Sequence, residues 1–424
     1  MPVSLDGYNA RTMTNPSTPP QTNSPRLALG CLVLLFIALF LILGPRLQLP
    51  NWRVPAGANT AFEEALAWKK GTMNLTQNTY EVAQVGDKHY NVVGPAFTLI
   101  SLVAITLNNL IGGIHDEFYP TWYISVITLP PVIIGFWAFR RVTGSSPYAA
   151  LFTAYLLIGT SMEPILRTCQ QGSIYYINHA LAVSGLLLMA GDLLGRRRLW
   201  PALIGLGLAA WSRQMTALYA LPLLWITWRQ CASSSRQNVL RRLAGPMIGL
   251  AIIAGLPMAL SWIKFGNPFD SGYVLMYHGR TDPIARRAFQ AVFSPRYIPM
   301  HLRAMNTAVP AWDIRGGALM PINDGRDGGA IWLTSPLLLA VFVTFRQWWR
   351  DPARRALMLG SLAVVVCLMC YHTTGSSEGG HYRYALDYIP VWLLVIAPYL
   401  TKHRTLSWVL AALAWSGVYF RLLP

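Results

Sequence analysis

Apolar and polar residues alternate along this chain in long blocks, and most apolar blocks approach the length of a membrane-spanning helix. The first block, LALGCLVLLFIALFLILG, covers residues 27–44. Further blocks follow at 95–112, 121–139, 148–166, 177–194, 199–211, 214–228, 245–263, 331–345, 356–371, 385–400 and 405–420. About 20 apolar residues span a hydrocarbon core. The pattern therefore predicts an all-α fold, a polytopic transmembrane helical bundle of about 11 spans, give or take two.

The polar segments divide the chain into a tail and a membrane domain. Residues 1–26 are rich in Pro, Ser, Thr and Asn, which predicts a disordered cytoplasmic tail. Residues 27–424 then form a single membrane domain, whose longest polar segments are a first loop at 45–93 and a second loop at 265–330.

Charge distinguishes the two sides of the predicted bundle. Fifteen Lys and Arg residues lie in five short connections, at 140–147, 195–198, 229–242, 346–355 and 401–404. Twelve of the 17 acidic residues lie in or beside the long loops and the other short loops. Since basic connections face the cytoplasm, both long loops, and the functional surface that they form, are predicted to be extracytoplasmic.

One segment conflicts with this arrangement. With the first loop and Glu163 outside and Arg140 inside, residues 95–139 must cross the membrane an odd number of times. The segment contains two apolar blocks separated by GGIHDEFYP. Whether it crosses once or twice stays open, and the first loop is kept outside.

Composition favours a membrane protein over other classes. Hydrophobic residues make up 54% of the chain and charged residues 12%, about half the charged share of a soluble domain. The net charge of +17 is carried by short basic runs between apolar blocks, so we predict no nucleic-acid partner. The sequence has no phosphate-binding or dinucleotide glycine motif and no zinc spacing among its five Cys. No cofactor is firmly implied, and a need for a divalent metal stays open.

The first loop contains a predicted helix, TAFEEALAWKKG. Thr60 and Glu63 fit a capping box, and Gly71 is suited to end the helix. The apolar spacing predicts a short helix lying in the membrane interface. Because capping gives Glu63 a structural role, Glu64 is the candidate acid or base of this helix.

Two more carboxylates precede the next apolar block, in EVAQVGDKHYNVVGP. Glu81 or Asp87 would lie near headgroup depth, where a carboxylate could deprotonate an acceptor that arrives from water. An ordinary solvated loop is the alternative interpretation, and both stay open.

An arginine interrupts an otherwise apolar segment in LGLAAWSRQMTALYALPLLW. The two halves, 199–211 and 214–228, are short for full spans, so we predict a thin hairpin with Arg213 at its outer tip. Arginine is costly in hydrocarbon and usually faces a polar cavity. Its guanidinium suits phosphate oxygens, although an arginine that anchors the chain at the interface is the alternative.

A further polar stretch opens the second loop, in GNPFDSGY. Asn267, Asp270 and Tyr273 could bind sugar hydroxyls, with Tyr273 as a stacking face. Asn-Pro and Ser-Gly also form ordinary turns, so both interpretations stay open.

A late stretch, GGHYRYALDYIP, places His381, Arg383 and Asp387 at the start of another apolar block. Arg383 and Asp387 have the i, i+4 spacing of a helical ion pair. Alternatively, a second arginine at the depth of Arg213 would help to hold a phosphate. His179, inside the block 177–194, is expected to pack in the core.

The order of these motifs resembles the GT-C glycosyltransferases, in the branch of the protein O-mannosyltransferases and lipid A aminoarabinose transferases. The resemblance covers roughly residues 27–400 and departs from the family in two places. VPAGAN stands where an acidic pair is expected. Gly94-Pro95 stands where a Lys-Pro pair often contacts the donor phosphate.

The resemblance implies an inverting single displacement that moves a sugar from a polyprenyl-phosphate donor to an extracytoplasmic glycan, lipid or protein. It implies a bacterial inner membrane protein, among membrane lipids, with its active site facing the periplasm. One loop carboxylate would act as base, Glu81 or Asp87 first and Glu64 behind them. The donor phosphate would be held by Arg213, Arg383 and Lys88. The substrate-binding candidates are Tyr90, Asn267, Asp270, Tyr273, His381 and Asp387.

In this mechanism, the Arg213→Ala substitution should abolish transfer with little loss of folded protein. Other functions stay open. A polysaccharide polymerase or ligase would act on diphosphate-linked lipid carriers at similar outer loops. A transporter of lipid-linked or small substrates would need binding residues at mid-membrane, often in matched broken helices, and only one broken block is evident. The missing acidic pair also leaves a non-catalytic scaffold open.

Overall fold

The computed structural model describes most of the chain between residues 24 and 413. The described residues are 24–43, 54–55, 60–76, 81–110, 118–119, 128–169, 174–196, 198–231, 236–307, 311–315, 318–322, 329–375, 382–401, 409 and 411–413. The predicted tail lies outside them except for residues 24–26. Most of the residues between the two apolar blocks of 95–139 also lie outside the described residues. The number of times that this segment crosses the membrane therefore stays open.

Helices dominate the N-terminal half, with short strands only in and near the first loop. Its elements are α1 (Pro25–Leu43), β1 (Val54–Pro55), α2 (Thr60–Lys69), β2 (Val82–Val85), β3 (Lys88–Asn91), α3 (Ala96–Leu110), β4 (Phe118–Tyr119), α4 (Leu129–Thr143), α5 (Ser146–Ile158), α6 (Met162–Cys169), α7 (Ile174–Leu194), α8 (Leu199–Ser212), a 3-10 helix (Gln214–Tyr219) and α9 (Ala220–Cys231).

The C-terminal half begins with the longest described helix and continues through the second loop. Its elements are α10 (Arg236–Phe265), α11 (Tyr273–Met276), α12 (Pro283–Gln290), a 3-10 helix (Pro295–Tyr297), α13 (Ile298–Leu302), a π-helical turn (Arg303–Thr307), β5 (Ala311–Arg315), β6 (Ala318–Ile322), α14 (Ile331–Thr334), a 3-10 helix (Pro336–Leu339), α15 (Ala340–Val343), α16 (Phe345–Arg350), α17 (Pro352–Met369), a 3-10 helix (Arg383–Asp387) and α18 (Ile389–Leu400).

The helical architecture matches the predicted class, a helical membrane protein. Among the described residues, three helices are long and apolar enough to cross a membrane: Tyr176–Leu194, Leu243–Phe265 and Pro352–Met369. Several other apolar helices are shorter, at 10–17 residues. The predicted number of about 11 spans therefore stays a prediction.

Helix α7 is the centre of the bundle and is buried on nearly all sides, as expected for a helix that is apolar all round. It crosses α8 at Gly185 and Gly205, where the two backbones touch. A Cβ on Gly185 would lie 2.4 Å from the Gly205 carbonyl oxygen, and a Cβ on Gly205 would lie 2.5 Å from the Gly185 carbonyl oxygen. Small residues permit this close approach.

Polar contacts at one end of the bundle join the basic connections. Arg141, near the end of α4, donates to the Asp192 carboxylate of α7 over 2.7 Å. Arg354, near the start of α17, donates to the Tyr399 hydroxyl near the end of α18 over 3.3 Å. Because these helices run the length of the bundle, the start of α7 and the end of α17 lie at its other end.

The predicted helix of the first loop forms, but protein covers it. Residues 60–67 of α2 are all buried, and the helix packs against α3. The helix ends at Lys69, and Gly71 just beyond it has a φ of +76°, as expected for a glycine stop. The observed burial differs from the predicted position in the membrane interface, because α3 packs against α2. The polar side chain of Glu64 is buried as well.

Candidate active site

A partly open cavity of about 70 Å³ lies at the end of the bundle opposite the basic connections. Its walls come from the first loop, the start of α7, the break after α8, the second loop and the segment that follows α17. The lining residues are Glu81, Val93, Gly94, Asn178, Ser212, Arg213, Gln214, Met215, Ser271, Tyr273, Val292, Phe293, Leu368 and Tyr371.

Arg213 faces this cavity because α8 ends there. Its backbone N–H still donates to the Ala209 carbonyl over 2.7 Å, but its φ of −140° is extended and the α-helix stops. A 3-10 helix begins at the next residue. The predicted break in the apolar block is therefore present, and it carries the guanidinium to the cavity wall.

Arg213 and Asp387 form an ion pair although 174 residues separate them. The Arg213 Nε donates to Oδ1 over 3.2 Å, and Nη2 donates to Oδ2 over 3.0 Å. The Asp387 side chain is fully buried, whereas that of Arg213 is 20% exposed. A guanidinium has five N–H donors, so this pair leaves donors for a ligand.

Asp387 has a different partner from the one that its sequence spacing suggests. Its carboxylate pairs with Arg213, and Asp387 is not among the residues that line the cavity. It is not the i, i+4 partner of Arg383, because residues 383–387 form a 3-10 helix. With about three residues per turn, residues four apart in such a helix lie on different faces.

Both arginines of the predicted phosphate site lie near one aromatic ring. The Arg213 guanidinium carbon is 4.6 Å from the centre of the Tyr384 ring, and that of Arg383 is 5.8 Å away. Arg383 also lies 5.6 Å from the Tyr176 ring. Of these two cations, Arg213 lines the cavity and Arg383 does not.

Glu81 is the candidate base that lines the cavity. Its side chain is 6% exposed, and its φ of +69° makes it the one described non-glycine residue with a positive φ. Backbone strain of this kind is often found at functional sites. Tyr273 lies nearby: burial, and then the Glu81 carboxylate, raise the pKa of its hydroxyl.

Asp87 and Lys88 lie elsewhere, in the turn of the β2–β3 hairpin. Val85 pairs with Lys88 in this antiparallel hairpin, so Gly86 and Asp87 form a two-residue turn. Asp87 and Lys88 are both exposed and neither lines the cavity. The hairpin thus separates Glu81 from Asp87, although the sequence suggests that they are equivalent.

Glu64 is engaged in a buried polar cluster. The Lys264 ammonium lies against its Oε1. Its Oε2 accepts hydrogen bonds from the Asn91 amide over 2.7 Å and the Thr98 hydroxyl over 2.6 Å. These contacts engage both carboxylate oxygens of Glu64, and Glu64 does not line the cavity.

The remaining predicted binding residues divide between the cavity and local structure. Tyr273 lines the cavity. Tyr90 packs edge-on against Phe265, with ring centres 6.0 Å apart. Asn267 accepts a hydrogen bond from the Phe269 backbone N–H, and Asp270 accepts one from the Gly272 backbone N–H. These contacts agree with the interpretation of this stretch as ordinary turns. His381 lies outside the described residues.

A network of His and Tyr side chains fixes the cavity wall that contains Tyr371. The Nδ1 of His301 is 2.9 Å from the Tyr382 hydroxyl, and its Nε2 is 2.8 Å from the Tyr371 carbonyl oxygen. The Nε2 of His372 is 3.2 Å from the Tyr277 hydroxyl. Burial lowers the pKa of His372 to about 4. The second loop is thereby fastened to the segment after α17.

Asn178 was not predicted from the sequence as a site residue. It lies near the start of α7, is 2% exposed and lines the cavity. Neither its amide nitrogen nor its oxygen has a hydrogen-bond partner among the described residues. Its neighbour His179, expected to be a packing residue, has its Nδ1 3.9 Å from the Asp387 carboxylate. The signal in the sequence was a polar Asn-His pair inside an apolar block.

Among the residues that the structure describes, no three His, Cys, Asp or Glu side chains are grouped as a metal site would require. The polar lining of the cavity comprises one carboxylate, one guanidinium, the amides of Asn178 and Gln214, two serine hydroxyls and two tyrosines.

Two crystal structures of ArnT from Cupriavidus metallidurans have a similar fold. One, bound to undecaprenyl phosphate, matches with a TM-score of 0.51 at 14% identity, over 91% of this chain and 63% of the ArnT chain. The other, in the apo state, matches with a TM-score of 0.50 at 13% identity, over 90% and 62%. This chain thus spans just under two thirds of their length. No protein-family model and no curated protein sequence matches.

The comparison confirms the predicted resemblance for the fold. The structural neighbours belong to the aminoarabinose transferase branch to which the motif order points. The roles of the individual site residues stay predictions, because identities of 13–14% do not transfer them.

Proposed function

We propose that this protein is an integral membrane glycosyltransferase that moves a sugar from a polyprenyl-phosphate donor to an extracytoplasmic acceptor. The observation that carries the proposal is that Glu81 and Arg213 line one cavity at the end of the bundle away from the basic connections. The ArnT-like fold supports it, since one ArnT structure holds undecaprenyl phosphate. The acceptor is a glycan, a lipid or a protein.

In the proposed reaction, the acceptor hydroxyl oxygen attacks the anomeric carbon of the sugar. Its proton passes to the Glu81 carboxylate, and the bond from that carbon to the phosphate oxygen breaks. The electron pair of that bond stays on the departing polyprenyl phosphate. Attack from the face opposite the phosphate inverts the anomeric centre. A positioned base contributes about 10²–10⁴ in rate.

Arg213 would hold the departing phosphate. Asp387 fixes the guanidinium from one side, so its remaining N–H donors have a set direction. A preorganised cation aimed at developing negative charge supplies several kcal/mol in a site that excludes water. Arg383, beside the same Tyr384 ring, would add positive potential at longer range.

The membrane supplies the donor by lateral diffusion, so no nucleotide site is needed. Leu243–Phe265 of α10 is almost entirely unburied by protein, which suits a helix that faces lipid. The basic connections at the other end of the bundle support a periplasmic cavity in a bacterial inner membrane. The first loop would then be outside, as expected from the sequence.

The test compares Glu81→Gln with Asp87→Asn, a control at an exposed carboxylate of the same hairpin. Mass spectrometry of cell-envelope glycans and lipids, with and without the gene, identifies the product. In the same strain, Glu81→Gln should lower product formation at least a hundredfold, whereas Asp87→Asn should leave it within about twofold.

Unchanged product in the Glu81→Gln strain would remove the carboxylate from the mechanism. A product extended by a whole oligosaccharide from a diphosphate carrier would support a polymerase or ligase instead. The absence of any gene-dependent glycan or glycolipid would overturn the proposal of transfer.

A further inference from the structure

The most informative unexplained group in the molecule is the side-chain amide of Asn178. It is 2% exposed, yet neither its nitrogen nor its oxygen finds a partner among the described residues. Buried polar groups in native proteins are nearly always hydrogen-bonded, and each exception needs an explanation. Because this amide lines the cavity, a ligand there is the natural partner.

The position of Asn178 is well defined by its neighbours. His179, the next residue on α7, has its Nδ1 3.9 Å from the Asp387 carboxylate that holds Arg213. This turn of α7 therefore lies directly beside the proposed phosphate-binding group. Across the cavity, the first loop contributes Glu81. The amide thus shares a space with the proposed base and the proposed phosphate ligand.

The chemistry of the amide selects among possible partners. Its nitrogen donates two hydrogen bonds and its oxygen accepts, and both atoms lack partners here. An ionised phosphate only accepts, so it would leave the amide oxygen unpaired. A sugar hydroxyl both donates and accepts, and it can satisfy both atoms.

We propose that Asn178 binds a ring hydroxyl of the donor sugar, and that it helps to determine which sugar the protein accepts. The inference rests on the proposed function, since the anomeric carbon must lie between the base and the departing phosphate. Arg213 binds the phosphate and Asn178 binds the ring. A site built to hydrogen-bond a hydroxyl discriminates strongly against a ligand that lacks it.

The experiment uses Asn178→Leu, with Asn178→Ala as a second variant, in the full-length protein in nanodiscs. The probes are undecaprenyl phosphate and a panel of undecaprenyl-phosphate monosaccharides carrying glucose, mannose, galactose or aminoarabinose. Wild-type protein should bind at least one glycosylated probe more tightly than the bare lipid phosphate. Both variants should lose roughly ten- to hundredfold in affinity for that probe, the value of two hydrogen bonds, and change less than about threefold for the bare lipid.

The thermal unfolding temperature without lipid distinguishes a role of Asn178 in binding from a structural role, since the loss of a structural residue would lower that temperature. Asn178→Leu replaces an unpartnered polar group by an apolar one of similar size, so it should unfold at the same or a higher temperature. Asn108→Leu is the matched control. Asn108 is 7% exposed, and its amide nitrogen also lacks a partner among the described residues, but it does not line the cavity. That variant should bind every probe as wild type does.

Each other outcome overturns the inference. An equal loss of affinity for bare undecaprenyl phosphate means that Asn178 contacts the phosphate. Unchanged binding of the glycosylated probes, or a wild type that prefers none of them, means that no ring hydroxyl is held there. If wild-type protein binds none of the lipids, the proposed function fails as well. The other outcomes contradict only the role of Asn178, so the two failures can be told apart.

Discussion

Removing the Arg213 guanidinium should destabilise the protein in addition to stopping transfer. The variant Arg213→Met leaves the fully buried Asp387 carboxylate without its cation. Two charges 4 Å apart attract by roughly 4 kcal/mol at an effective dielectric constant near 20. Removing one member of a buried pair costs about 3–5 kcal/mol, and we expect this loss in the free energy of unfolding. The sequence-based expectation that Arg213→Ala would fold almost normally is therefore revised.

A second substitution separates stability from chemistry. Adding Asp387→Asn to Arg213→Met removes the unpaired buried charge, so the double variant should recover to within about 2 kcal/mol of wild type. Its turnover should stay at least a hundredfold low, because no cation meets the departing phosphate. Denaturant unfolding in mixed micelles measures the first quantity, and product formation per folded molecule measures the second.

The control is an ion pair at the far end of the bundle. Arg141 and Asp192 are joined over 2.7 Å, and the Asp192 side chain is 1% exposed. Arg141→Met should also lower the unfolding free energy but keep turnover per folded molecule. The reasoning is refuted if the Arg213→Met/Asp387→Asn double variant regains turnover together with stability, because Arg213 would then serve only as the partner of Asp387.

Two further predictions concern stability. A Cβ on Gly205 would lie 2.5 Å from the Gly185 carbonyl oxygen, so Gly205→Ala should cost about 1–3 kcal/mol. Gly255→Ala, whose Cβ meets nothing within 4 Å, should cost nothing, and thermal unfolding of the two variants checks the contrast. Burial holds the pKa of His372 at about 4, below the 6.5 of a free histidine, so the unfolded chain binds the proton more readily. Stability should be full above pH 6.5 and fall by about 3 kcal/mol as pH drops toward 4; a His372→Gln variant that loses stability equally over this range would contradict the assignment.

Arg213 could be predicted from sequence because one local fact sufficed. A charged residue inside an apolar block must find a polar environment, so its position alone marks it. Its partner could not be predicted, since Asp387 is 174 residues away. The i, i+4 rule pointed instead to Arg383, and it failed because residues 383–387 form a 3-10 helix.

The candidate bases show the opposite case, in which residues that look alike in sequence differ in space. Glu81 and Asp87 are six residues apart in one polar stretch, and no periodicity distinguishes them. The register of the hairpin distinguishes them, because it places Asp87 in the exposed turn and leaves Glu81 directly before β2, beside the cavity. Asn178 was missed for a related reason: an uncharged amide in an apolar block gives a weaker signal than a charge.

The contacts of Glu64 explain why two loops that are far apart in sequence line one cavity. Lys264 lies against the Glu64 carboxylate and also donates to the Asn91 carbonyl over 3.0 Å. Lys264 lies in the last turn of α10, which leads directly to the loop that carries Tyr273, whereas Asn91 ends β3 and leads to Gly94 at the cavity wall. One buried ion pair therefore fixes both loops to each other. Val82, Ala83 and Tyr90 of the hairpin are buried as well, so packing and this ion pair together fix its position. Because the Glu64 carboxylate is engaged in fastening the cavity wall, we propose Glu81 and not Glu64 as the base.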